Sequence, residues 1–101
     1  EVEVELGEIE VRQTFKASRI GVIAGCYVTQ GTVTRNARVR LYRGGKEIYD
    51  GPIDSLKRFN DEVKEVREGF ECGIVLQRFR DIEQGDIMRP YVIEERERTL
   101  S

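Results

Sequence analysis

Apolar and polar positions alternate along this chain in short runs with the period of a strand. In "EIEVRQTF", residues 8–15, Ile9, Val11 and, less strictly, Phe15 are spaced to line one face of a sheet. "RVRLYR", residues 38–43, sets Val39 and Leu41 between basic residues and runs into Gly44-Gly45. Two strands joined by two glycines signal a tight hairpin. Its second arm is "KEIYDG", residues 46–51, with Ile48 and Tyr49 packing. "GVIAGCYVTQGTV", residues 21–33, reads as a strand, a turn near Gln30-Gly31 and a new strand. A further turn is expected at Asn36-Ala37. "PIDSLKRF" is a strand opening on Pro52, a position that tolerates a missing N–H. "GFECGIVLQRF", from Gly69, is a strand with a long apolar centre, "DIEQGDIM" carries a turn at Glu83-Gln84-Gly85, and "PYVIEE" is a closing strand.

One patch has helical character: "NDEVKEVREG", residues 60–69, with a cap at Asn60 or Asp61, Val63 and Val66 three apart, and Gly69 as a stop. A turn-rich connection fits it as well, because under three turns of helix is marginal alone. Turn signals about every ten residues predict an all-β sandwich or barrel. The Glu-rich ends, before Leu6 and after Val92, read as linker junctions.

The 101 residues make one domain, long enough for a core without disulfide or metal support. The chain opens on Glu1, which suggests a module of a longer protein. No stretch approaches the run of about 18 apolar residues that a membrane helix needs.

There is no histidine and there are two cysteines. That set leaves no zinc site and no Ser-His-Asp or Cys-His nucleophile within this chain. Cys26 and Cys72 are expected as reduced thiols. No GxxxxGK[ST] loop is present, so nucleotide hydrolysis is not expected here.

The net charge of −2 hides an uneven distribution. From Arg12 to Lys46 there are eight basic residues and no acidic one, whereas residues 1–11 hold five Glu and nothing basic. The run either makes a positive face or is a set of solvated strand residues balanced in space by later carboxylates.

"SLKRFND", residues 55–61, carries Lys57 and Arg58 for phosphates beside Phe59 for a base to stack on, the combination single-stranded nucleic acid requires. The alternative is a core Phe59 with solvated neighbours. "EGFECGI", residues 68–74, puts Glu71, Cys72 and Gly73 in succession inside a strand, where glycine is unfavourable unless something approaches closely.

The order of these blocks closely resembles the C-terminal domain of bacterial translation initiation factor two. "FKASRIGVIAGCYVTQGTVTRNARVRL", "SLKRFNDEVKEVREGFECGIVL" and "DIEQGDIM" carry the resemblance over about residues 7–95. The first block is also similar to the second domain of elongation factor Tu. The resemblance implies an all-β fold, a closed antiparallel β-barrel of the translation-factor domain II type. It implies a monomeric cytoplasmic module that is a C-terminal fragment of a larger factor. Such a module has no enzyme activity, no cofactor and no metal. Its partner would be the aminoacyl acceptor end of formylmethionyl initiator tRNA, and the ribosome through the full-length factor. A structural barrel docking on a neighbouring domain or the ribosome is the rival reading.

Matched residue by residue, the contacts fall on Cys26, on Lys57, Arg58 and Phe59, and on Glu71, Cys72 and Gly73. Phe59 stands where relatives often carry tyrosine, and "IMRPYV" departs from the usual last strand. Gly73 would let the backbone approach the ligand, and Cys26 and Cys72 would wall a methionyl side chain. Glu71 would accept a hydrogen bond from a ribose hydroxyl or from a basic neighbour.

Overall fold

The computed structural model describes residues 2–94. Nine strands, all paired antiparallel, and no helix occupy the described residues: β1 (Val2–Glu5), β2 (Gly7–Ala17), β3 (Gly21–Thr34), β4 (Arg38–Arg43), β5 (Lys46–Arg58), β6 (Asp61–Glu62), β7 (Glu65–Arg67), β8 (Glu71–Leu76) and β9 (Ile87–Glu94). Their order is β1-β9-β2-β3-β8-β5-β4, and β4 pairs back onto β9, so six strands form a ring. Ile9, Val11, Ala24, Val28, Leu41, Leu56, Ile74 and Met88 fill its inside.

The Gly44-Gly45 hairpin forms as the pattern predicts, with both glycines at positive φ (60° and 80°) between the paired Arg43 and Lys46. The turn before Arg38 forms too, over Arg35 and Asn36, one residue earlier than expected. The turn before β9 falls at Gln84-Gly85.

Three expectations are corrected. Gln30-Gly31 does not reverse the chain, because both residues lie inside the 14-residue β3. Gly31, at φ 67°, bends the strand there, and the chain continues to pair Thr32–Thr34 with β7. Gly7 faces Gly31 so closely that a Cβ on either would strike a backbone carbonyl, that of Gln30 or of Leu6.

Pro52 does not open a strand but lies within β5. It is the last residue paired with β4, opposite Arg38; the next, Ile53, pairs with Leu76 of β8. A missing N–H is tolerated where a strand changes partners.

Of the two readings of residues 60–69, the turn-rich connection forms, as β6, a bend and β7. Phe59, at φ 58°, turns the chain so that Asp61 and Glu62 pair back on Arg58 and Lys57. Val66 then enters the core between exposed Glu65 and Arg67, with the period of a strand. Val63 only packs on the edge of that core.

The N-terminal Glu-rich segment is not a linker over residues 2–5, which form β1 against Tyr91–Glu94. The expected linker after Val92 is likewise no linker at Ile93 and Glu94, which pair with β1; its remainder, with the last residue of "PYVIEE", lies outside the described residues.

Candidate functional site

One register row crosses the outer face of four strands: Gln13 of β2, Gly25 of β3, Gly73 of β8 and Lys57 of β5. Paired residues of a sheet share a face, so the two central glycines leave a strip of bare backbone. Side chains stand around that strip. Phe15 leans over Gly25, where a Cβ would lie 3.3 Å from its Cε2. Phe70 stands on the opposite side, and Phe59 projects from the β5–β6 turn. Phe15 is 50% exposed, Phe70 48% and Phe59 90%. Together with Arg12, Arg58, Glu71 and Ile23 they border an open cavity of about 430 Å³, within the size range of small-molecule sites.

Phe15 faces out although it has the parity of the buried Ile9 and Val11. The register of β2 against β3 shifts between Val11 and Gln13, which leaves Arg12 as an extra residue. A bulge of this kind turns every later side chain to the other face, so the expected packing of Phe15 is corrected by one inserted residue.

Three cation–π contacts involve the arginines of the rim. The Arg58 guanidinium lies 4.8 Å from the Phe70 ring centre and 5.4 Å from that of Phe59. Its Nε donates to the Glu71 carbonyl oxygen at 3.2 Å. Arg12 lies 4.5 Å from the centre of Tyr27 and pairs with Glu10 at 2.8 Å. Glu71 therefore meets its basic neighbour through its backbone. Its carboxylate makes no ion pair among the described residues.

Six of the seven expected residues line this one cavity: Cys26, Arg58, Phe59, Glu71, Cys72 and Gly73. Lys57 shares their register row but is not in the lining. Phe59 is no core residue. A Cβ on Gly73 would lie 3.4 Å from Ile23 Cγ2, an ordinary contact, so the fold itself does not require glycine there.

Both cysteines border the cavity from beneath, as part of the core. Cys26 and Cys72 are register partners whose side chains join the core, 2% and 6% exposed. Both are free thiols. Cys26 Sγ donates to the Ala24 carbonyl at 3.3 Å. Burial pushes both thiols up, Cys26 well above its ordinary value and Cys72 to about 12. A raised folded-state value means that the native state holds its proton while the unfolded chain releases one. The stability contributed by Cys72 is thus complete below about pH 9 and is lost toward pH 12, at about 1.4 kcal/mol per pH unit. Denaturant melts of the wild type and Cys72→Ala from pH 8 to 11 are expected to converge as pH rises. A constant gap between them would contradict the buried neutral thiol.

Sequence reasoning missed Arg12, Gln13, Gly25 and Phe70, and misjudged Phe15. Gly25 carried the same signal as Gly73, a glycine beside a cysteine within a strand. A larger hollow of about 670 Å³ lies among Thr34, Arg35, Asn36, Ile53, Asp54, Lys64 and Glu65. It has no aromatic face, its cations and carboxylates are mixed, and none of the expected residues borders it. No cluster of three or more His, Cys, Asp or Glu suited to a metal occurs among the described residues.

The chain is thus an antiparallel strand ring with an aromatic and cationic groove on its outer face. The family model for elongation factor Tu domain 2 matches residues 21–89, and the chain belongs to that family. It is also similar to "Translation initiation factor IF-2" of several bacteria. The Halalkalibacterium halodurans protein is 61% identical over 94 residues, covering 93% of this chain and 13% of that protein. The Geobacillus sp. (strain WCH70) protein is 56% identical over 93 residues, 92% of this chain and 13% of that protein. The Bacillus subtilis protein is 55% identical over 94 residues, with 93% and 13% covered. The chain thus spans about 13% of the length of the relatives it matches.

Proposed function

We propose that this domain binds the aminoacyl acceptor end of formylmethionyl initiator tRNA during bacterial translation initiation. In this reading it is the C-terminal, non-enzymatic domain of a cytoplasmic factor that meets the ribosome through its other parts, and its strand ring is a closed barrel. The observation that carries the reading is the Gly25–Gly73 strip bordered by exposed aromatic rings and by Arg58, which pairs with no carboxylate among the described residues. Exposed rings beside cations suit an unpaired nucleotide end, where each stacked base contributes about 1–3 kcal/mol.

The roles follow from the groove. Phe59 offers its face to the terminal base. Arg58, near both the Phe59 and Phe70 rings, presents its remaining N–H groups to a phosphate, and Lys57 adds charge at the rim. The bare backbone at Gly25 and Gly73 admits the methionyl group, with Cys26 and Cys72 beneath it as part of the core. The Glu71 carboxylate, in no ion pair among the described residues, accepts from a ribose hydroxyl.

Phe59→Ala is expected to weaken binding of formylmethionyl initiator tRNA by about 1–3 kcal/mol. Being a surface change, it should move folding stability by no more than about 0.5 kcal/mol. Fluorescence titration and denaturant melting of the same sample separate the two effects. Unchanged affinity would favour a protein-docking module. Formylation removes a charge that the groove would otherwise have to desolvate. Formylmethionyl tRNA is therefore expected to bind about tenfold more tightly than the unformylated form at pH 7, a difference of about 1.4 kcal/mol. Glu71→Gln should widen that gap, because the free carboxylate partly compensates an ammonium. Equal affinity for the two forms in the wild type would contradict the reading.

A further inference from the structure

A second cationic surface lies at one end of the ring. The β2–β3 connection is a three-residue tip, Ser18–Ile20, with Arg19 exposed at its centre and Lys16 exposed just before it. The segment after β8 reaches this tip: the Arg80 side chain runs beside Gly21, its Nε 3.2 Å from where a Cβ would stand. Ile20, Gln77, Arg78, Phe79 and Arg80 border a shared hollow of about 300 Å³. None of Lys16, Arg19, Arg78 and Arg80 makes an ion pair among the described residues. One carboxylate, Asp54, borders the hollow. The other acid nearby in sequence, Asp81, is turned to Arg43 at 3.4 Å. Arg78 is held at φ 57°, and the only other non-glycine residue at positive φ among those described is Phe59 in the groove. Such backbone is costly for a side-chain-bearing residue and concentrates at sites of contact.

The patch continues the groove. Ile23 borders the groove, and Gly21, beside Arg80, lies two residues along the same strand. At roughly 3.3 Å per residue the two are about 7 Å apart. Guanidinium forks match phosphate oxygens, which they bind with two parallel N–H donors. Ile20 is the one large exposed apolar side chain at the hollow, too little for the apolar centre of a protein interface.

We propose that Arg19, Arg78 and Arg80 bind the phosphodiester backbone of RNA beyond the acceptor end held in the groove, a contact that rests on the tRNA-binding reading above. The groove reads the aminoacyl end, and the patch holds the adjoining stem without regard to its sequence.

The test compares the wild type with two triple variants, Arg19→Gln/Arg78→Gln/Arg80→Gln and the corresponding change of all three arginines to lysine. Three probes are titrated over a salt series: formylmethionyl initiator tRNA, the same tRNA deacylated, and formylmethionyl-adenosine, which has no phosphate. The glutamine variant should lose at least about tenfold in affinity for both tRNAs at low salt. Its plot of log K against log salt should flatten by about 2–3, given three contacts at about 0.7–0.9 per phosphate. Formylmethionyl-adenosine should bind all three proteins equally, and the lysine variant should keep most of the slope. An unchanged slope for whole tRNA in the folded glutamine variant would overturn the patch, as would failure of deacylated tRNA to bind the wild type at low salt. Failure of formylmethionyl-adenosine to bind the wild type would instead sink the groove, leaving the patch to be judged on deacylated tRNA.

Discussion

Asp86→Ala is expected to cost about 3 kcal/mol of folding stability, the largest loss for any single change considered. Asp86 is 1% exposed. Its carboxylate accepts from Arg43 Nε at 2.9 Å and from Arg43 Nη2 at 2.8 Å, and from the Glu83 N–H at 2.8 Å. Arg43 also reaches Glu83 at 2.7 Å and donates to the Asp81 carbonyl at 2.8 Å. The fork therefore fastens the segment before β9 to the end of β4. Breaking a buried pair typically costs 3–5 kcal/mol. The lower figure applies because the Arg43 side chain, 32% exposed, can recover water. For a domain of this size the melting temperature should fall by about 12–24 °C. Asp86→Asn keeps an acceptor for the Glu83 N–H and should lose less. A drop of under about 1 kcal/mol for the alanine variant would show that the network adds little to stability.

Gly73→Val is expected to leave a folded domain and to reduce binding of formylmethionyl initiator tRNA by about 100-fold or more, near 2.7 kcal/mol. Gly73 is not at positive φ. Its missing Cβ has room beside Ile23 Cγ2 and, at 3.9 Å, the Lys57 carbonyl oxygen. Valine also suits a strand better than glycine. Its two methyl groups would stand on the bare strip between Phe15 and Phe70, where the ligand is to lie. Melting the variant should give a transition at or above that of the wild type. Wild-type affinity in a folded Gly73→Val protein would remove the strip from the binding surface.

Much of this was legible in the sequence, for physical reasons that also explain the misses. The Gly44-Gly45 hairpin was legible because two residues at positive φ leave few alternatives. Gly73 was legible because glycine inside an apolar strand conflicts with local preference, and such conflicts gather at functional sites. Parity failed at Phe15 because a bulge at Arg12 carries no strong composition signal, yet it turns the rest of β2 over. Helix and turn-rich connection stayed equally open at residues 60–69 because spacing of three between Val63 and Val66 carries no information on long-range pairing. β7 exists only because the far half of β3 is there to receive it. The depth of the thiols follows from the same alternation. Adjacent strand residues point to opposite faces, so Gly73 in the groove sends Cys72 into the core.

The central claim is that one outer groove holds the aminoacyl end, and backbone amide chemical shifts of the isotopically labelled domain test it most directly. On adding formylmethionyl-adenosine, the largest shifts are expected at Ile23, Gly25, Phe59, Phe70 and Gly73, with the hollow at Arg35 and Lys64 unmoved. Shifts centred on that hollow, or no shift at saturating ligand, would contradict the account.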